Sequence, residues 1–280
     1  MLIWKDGYTT IDGNKIYIQR WSPEQSPRAN VLLVHGVGEH SSRYGHVGDH
    51  FSHAGIALTG FDLPGHGKSD GQRGHADSYD VFCREIDHFA NELSEQQPSI
   101  PIFLYGHSMG GLIVLYYSLY RKPQKIKGVI STSPGLVPGY PIPAWKTALG
   151  NFLYTIFPTF SMKNGLPLDG ISHDKEVVAA YKADPLNHPY ISARMGMDLI
   201  RNGQKVSQKA AEFPLPLLLM VGSEDHLVDP KAVIDFGQKS NHKTTLKVWD
   251  NGFHELHNET FKIEVLNTMT DWIIKNAALS

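Results

Sequence analysis

The chain has 280 residues, enough for one α/β unit carrying an insertion, and its 26 Lys and Arg against 28 Asp and Glu leave a net charge of −2. That balance gives no bulk attraction to nucleic acid or anionic lipid, while 41% hydrophobic and 19% charged residues exclude a disordered chain. The single cysteine, Cys83, rules out an internal disulfide framework and a Cys-only zinc site; core packing in a reducing compartment is its expected role.

The first residues have no basic start followed by a long apolar run, so no signal peptide is expected. Residues 8–11 and 15–21 alternate around Asp12-Gly13-Asn14 and predict an opening β-hairpin. Four short apolar runs follow, at 30–35, 56–61, 102–105 and 126–131, each bounded by Gly or Pro. Continuous runs of this kind suit strands buried on both faces of a parallel sheet. Helix-like stretches at 78–97 and 109–121 lie between them, which makes the order βαβα.

Two further strands are expected at 215–221 and 245–249, and a closing amphipathic helix over 255–280. The longest aliphatic block, 215–221, is broken by Pro216 and is far short of the roughly 18 residues of a membrane span, so a soluble, cytoplasmic protein is expected. Between 134 and 213 lie 80 residues without a convincing strand, where a crossover needs about 30. Six of the 21 residues from 140 to 160 are aromatic: Tyr140, Trp145, Phe152, Tyr154, Phe157 and Phe160. A helical cap with an apolar underside is the expectation, with an extra packing layer as the alternative. The division is thus core 1–133, cap 134–213 and core 214–280.

Gly106-His107-Ser108-Met109-Gly110 stands directly after one expected strand and before a helix. A serine becomes a nucleophile when a base reaches its hydroxyl and its turn holds it clear of the sheet. The flanking glycines permit such a turn; a plain helix N-cap would explain Ser108 but not both glycines. The acid and base then belong on loops after later strands. Gly222-Ser223-Glu224-Asp225-His226 and Asp250-Asn251-Gly252-Phe253-His254 occupy those positions. Asp225 is assigned to orient the imidazole and His254 to act as general base and then acid. Glu224 and Asp229 compete with Asp225, and His257 with His254. Preorganised N–H groups for a developing oxyanion are expected from Met109, after the nucleophile, and from Val37 in the Val34-His35-Gly36-Val37-Gly38-Glu39-His40 loop. For Val37 the alternative is simply a residue in a tight glycine turn.

Three decoys carry little. Gly67-Lys68-Ser69 lacks the first glycine of a phosphate loop, because position 62 is Asp62. Gly36-Val37-Gly38-Glu39-His40-Ser41 lacks the third glycine of a dinucleotide fingerprint, and His254-Glu255-Leu256-His257 is one residue short of the zinc-protease motif. No metal or cofactor is implied.

The blocks 35–44, 61–71, 106–111 and 254–257 together resemble the α/β-hydrolase-fold serine hydrolases, and within them the monoacylglycerol lipase and lysophospholipase group. The likeness covers the core well and the cap only in length and position. It implies a mostly parallel central sheet flanked by helices, with a helical cap inserted before the last two strands. It also implies an esterase for monoacylglycerols or lysolipids whose cap receives the acyl chain; the aromatic cluster at 140–160 adds the expectation of transient membrane-surface contact through the cap, and neither nucleic acid nor an obligate protein partner is expected. Glu39, Arg43 and His257 then hold the polar head, as hydrogen-bonding groups beside the oxyanion loop and base; the alternative is that Glu39 and Arg43 merely pair with each other. Mammalian members carry Cys shortly after the acid, where this chain has Val228. A short-chain esterase, or a homologue that binds without turnover, shares the same fold.

Overall fold

The computed structural model describes residues 2–278. It opens with the expected hairpin, strands β1 (Leu2–Ile11) and β2 (Asn14–Pro23), turned by Asp12 and Gly13, which both have positive φ as a tight hairpin turn requires. β3 (Ala29–Val34), helix α1 (Gly45–His53), β4 (Ile56–Phe61), α2 (Tyr79–Gln96), β5 (Ile102–His107), α3 (Met109–Arg121) and β6 (Ile126–Thr132) follow. After a long insertion come β9 (Leu217–Gly222), α7 (Pro230–Lys239), β10 (Thr244–Trp249) and α8 (Lys262–Ala277). The insertion holds α4 (Ala144–Ile156), β7 (Ser161–Lys163), α5 (Lys175–Ala183), β8 (Tyr190–Ser192) and α6 (Ala193–Gln208).

Eight strands form one sheet in the order β1-β2-β4-β3-β5-β6-β9-β10, parallel from β4 to β10 and antiparallel at the hairpin edge. Side chains alternate across the pleat, and both sides of the central strands β3, β4, β5 and β9 are buried. Leu32, Val34, Leu104 and Leu219 join the core under α2, α3 and α7, while Val31, Leu33, Phe103 and Met220 join the one under α1 and α8. This is why these strands read as unbroken apolar runs rather than as alternating ones. From β3 the chain steps outward to β4 and then crosses back to β5 on the other side. In open α/β sheets ligands bind at the carboxyl ends of strands where the order reverses, here the loops after β3 and β5.

Several boundaries differ from expectation. β9 begins at Leu217 rather than 215, since Pro216 has no N–H to give the ladder; its carbonyl instead accepts from Val129 N–H at 2.9 Å. The closing helix starts only at Lys262. Glu259 draws the backbone N–H groups of Phe253 and Thr260 onto its carboxylate, and such local side-chain bonds compete with helix over 255–261. The last two residues of the expected helix, through Ser280, lie outside the described residues. The insertion contains a strand pair that the periodicity does not reveal, because β7 and β8 are three residues each.

The aromatic cluster does not supply a buried face of the insertion. No residue of α4 is buried; Trp145, Phe152 and Phe157 are 63%, 60% and 62% exposed, and Phe160 is exposed too. The aromatics at 140–160 therefore face outward in the main. Tyr154 turns inward, hydrogen-bonded to Asp198 and stacked against Arg201. Among the described residues no helix is long and apolar enough to cross a membrane.

Candidate active site

Ser108 sits between the last residue of β5 and the first of α3, with φ 55° and ψ −117°. Few non-glycine residues take that conformation, and strain of this kind is typical of functional turns. The glycines around it make the turn possible by permitting close approach. A Cβ on Gly106 would collide with the Gly110 carbonyl, and one on Gly110 with the Val34 carbonyl of the neighbouring strand. The turn is pinned by Ser108 N–H donating to the Thr132 carbonyl and by the Ser108 carbonyl accepting from Leu112 and Gly135, each at 3.0 Å. Met109 opens α3, so its N–H has no acceptor within the helix.

The loops after β9 and β10 bring Asp225 and His254 together. His254 Nδ1 lies 2.8 Å from Asp225 Oδ2, and both side chains are buried. A carboxylate only accepts, so Nδ1 carries the proton and Nε2 keeps its lone pair. The other carboxylate oxygen, Oδ1, accepts from Leu227 and Val228 N–H at 2.9 and 3.0 Å. Burial works to raise the Asp225 pKa, but the His254 ring and these donors outweigh it and hold the carboxyl below its ordinary value. Burial likewise works against the charged His254 ring, yet Asp225, with Glu255 and Glu39 behind it, lifts the His254 pKa above that of an ordinary histidine.

The competing assignments part company in space. Glu224 is exposed, and Asp229 caps α7 by accepting from Lys231 N–H. His257 is wholly buried, its ring stacked 4.6 Å from Tyr44, and it does not border the cleft at Ser108. The expectation that His257 meets a polar head group is therefore corrected: no part of its ring reaches the surface.

A narrow cleft reaches Ser108 and His254. Val37, Glu39 and His107 line it from the core, and Leu166, Leu168, Ile171 and Tyr181 from the insertion. Gly36 lies so close that an added Cβ would stand 3.2 Å from Ser108 Cβ. Glu39 is largely consumed by its neighbours: Oε1 accepts from Gly36 N–H and the Tyr44 hydroxyl, and Oε2 pairs with Arg43. Arg43 in turn grips Glu255 through two hydrogen bonds of 2.7 Å and lies over the Tyr181 ring. Arg43 thus sits behind the cleft wall with its charge spent on two carboxylates, not at the cleft as a head-group contact. The pKa of His107, the last residue of β5, is pushed down to about 3 by burial, with the nearby His254 ring adding to the effect, and so the ring stays neutral.

Glu255, Tyr181 and the three apolar residues of the insertion are site residues that sequence reasoning misses. Only Glu255 left a signal, as a neighbour of His254. The segment before α5 is stitched to the same loop, since His254 N–H donates to the Gly170 carbonyl and Glu255 N–H to the Ile171 carbonyl at 2.7 Å.

Residues 25–261 match the family model Hydrolase_4, described as serine aminopeptidase S33. The chain is 32% identical to the monoacylglycerol lipase of Mycolicibacterium smegmatis, with 96% of each chain covered. It is 37% identical to an uncharacterised abhydrolase domain-containing protein of Dictyostelium discoideum; 96% of this chain is covered but only 29% of that protein, so it spans less than a third of that relative. The crystal structure of the Paleococcus ferrophilus monoacylglycerol lipase is similar with a TM-score of 0.86 at 33% identity, covering 93% of this chain and 99% of that one. The chain belongs to the Hydrolase_4 family of α/β-hydrolases, in its monoacylglycerol lipase group, and is a hydrolase with a lipase or esterase function.

Proposed function

We propose that the protein hydrolyses monoacylglycerols to glycerol and a fatty acid through a Ser108–His254–Asp225 triad and an acyl-enzyme. The observation that carries this reading is the buried 2.8 Å Asp225–His254 pair, whose histidine borders the same cleft as a serine held on a strained turn. Ser108 Oγ attacks the ester carbonyl while His254 Nε2 takes its proton. The oxyanion is received by the N–H groups of Val37 and Met109, preorganised donors worth several kcal/mol in a dry site. The C–O bond to glycerol breaks as His254 returns the proton to the departing oxygen. Water, deprotonated by the same nitrogen, then releases the fatty acid and restores Ser108.

Residues 134–213 act as a cap on a core built from 1–133 and 214–280. Leu166, Leu168, Ile171 and Leu227 supply the apolar wall for the acyl chain. Glu39 bounds the polar end, where Arg43 fixes its carboxylate rather than meeting glycerol itself. The outward face of α4 supports transient docking on a lipid surface: Trp145, Leu149, Phe152 and Ile156 recur at helical spacing and all are exposed.

Fatty-acid release from monooleoylglycerol and from lysophosphatidylcholine, measured side by side, tests the substrate class. Faster cleavage of monooleoylglycerol, lost in Ser108→Ala, supports the reading. Cleavage of the lysolipid alone moves the protein to the lysophospholipases.

A further inference from the structure

The cap grips the proposed oxyanion turn at one carbonyl. Gly38 O accepts the backbone N–H of His188 at 3.0 Å and the Tyr181 hydroxyl at 3.3 Å. There is no slack in this contact, since a Cβ on Gly38 would run into the His188 carbonyl. His188 is 8% exposed and is anchored by its own ring, whose Nε2–H donates to the Gly65 carbonyl at 3.1 Å.

Behind the turn stands a row of three imidazoles. His188 lies 4.9 Å from His66, and His66 5.3 Å from His35. His35 accepts Leu63 N–H on Nε2 at 2.9 Å and donates from Nδ1 to the Gly36 carbonyl at 2.8 Å. The Gly36 carbonyl and the Val37 N–H belong to one planar trans peptide and point in opposite directions. Whatever holds that carbonyl therefore aims the Val37 donor. Two residues on, the cap holds the Gly38 carbonyl, so the Val37 peptide is fixed from both flanks. A second tie, His40 Nε2 to Asp184 Oδ2 at 2.9 Å, joins the same two loops.

We propose that His188 is a positioning residue for hydrolysis, locking the turn at 36–38 so that the Val37 N–H meets the oxyanion only when the cap loop at 184–190 is seated. This rests on the reading of Val37 as an oxyanion donor. The side chain does not touch substrate; it holds residue 188 in place through Gly65 and braces the imidazole row. The effect belongs to the transition state, because the donor matters where charge develops and much less for the ground-state ester.

The test uses His188→Ala and His188→Gln in the full chain, with active-site titration to count competent enzyme. The probe is an alkylboronic acid, whose tetrahedral adduct with Ser108 places an oxygen at the oxyanion position. For His188→Ala, kcat per titrated site falls roughly ten- to hundred-fold, as expected for a misplaced catalytic group. KM stays within about two-fold, and boronate affinity weakens by the same factor as kcat/KM. His188→Gln, which keeps an N–H for the Gly65 carbonyl, recovers most of the loss. The proposal is overturned if kcat per titrated site and boronate affinity are unchanged, with only the number of competent sites reduced, or if Gln restores nothing. A wild-type protein that does not bind the boronate, or a Ser108→Ala variant that still hydrolyses ester, overturns the underlying serine reading as well.

Discussion

The sheet core and the cap contribute to one cleft by opposite means. In the core the central strands β3, β5 and β9 are buried along their whole length, which holds the loops that follow them, those of Val37, Ser108 and Asp225. The insertion is uneven: α4 and α5 bury no residue, while α6 sends Met195 and Val206 into the core, and hydrogen bonds to glycine carbonyls and to the His254 loop tie the rest. Buried central strands carry the turn of Ser108, while an insertion whose outer helices bury nothing lines the cleft. Elements with few buried contacts are those that open at low cost in free energy.

The contrast can be broken most severely at the reacting groups. Ser108→Ala should remove ester hydrolysis, a loss on the order of 10³-fold or more in kcat, with the thermal unfolding midpoint nearly unchanged. Asp225→Asn should lose a comparable factor, since an amide can stabilise the wrong His254 tautomer. The proton relation has a sign: His254 must be neutral at Nε2, so kcat/KM falls as pH drops through its raised pKa. Removing the Asp225 charge should move that acid limb to lower pH, and a pH profile of kcat/KM that does not shift would show that Asp225 is not what raises it.

Next in size is the ionic cluster that backs the cleft. Arg43→Met leaves Glu39 and Glu255 buried without their cation, which should destabilise the fold by about 3–5 kcal/mol at neutral pH in denaturant unfolding. Burial pushes the Glu255 pKa up, but Arg43 more than offsets this and holds it below the ordinary value. The stability gained by that pair is therefore present above the unfolded carboxylate pKa and lost as pH falls through the folded one. The variant's deficit should shrink on acidification, and a deficit independent of pH would place its cause in packing instead.

Smallest in the folded protein, and most telling about the cap, is the outward stripe. Trp145→Ser with Phe152→Ser should change stability by no more than about 0.5 kcal/mol, since both side chains are already in water. Co-sedimentation with phosphatidylcholine vesicles should nevertheless drop severalfold, while hydrolysis of a short, monomeric ester stays at the wild-type rate. Unchanged vesicle binding would remove the docking role from this face.

The same division explains what could be read from the residues alone. The positions of Ser108, Asp225 and His254 beyond strand carboxyl ends are legible because the strand and the glycine-containing turn before each leave local marks. Glu255 and Tyr181 were not, because their meaning lies in Arg43, which is distant from both in sequence and meets them only after folding. His257 misled for the same reason: one helical turn from His254 in sequence, it sits in a 3-10 turn that points it at Tyr44 instead. The aromatics of α4 were visible as a cluster, but whether such a face turns in or out is decided by what it packs on. α4 rests on α6 through its other side and leaves Trp145 and Phe152 in solvent.

The most direct measurement is to treat the protein with an alkyl fluorophosphonate and map the adduct by peptide mass spectrometry. The expected result is a single phosphonylated residue, Ser108, with labelling abolished in Ser108→Ala and strongly slowed in His254→Ala. An adduct on another residue, or full labelling of a protein lacking Ser108, would contradict the serine mechanism proposed for this cleft.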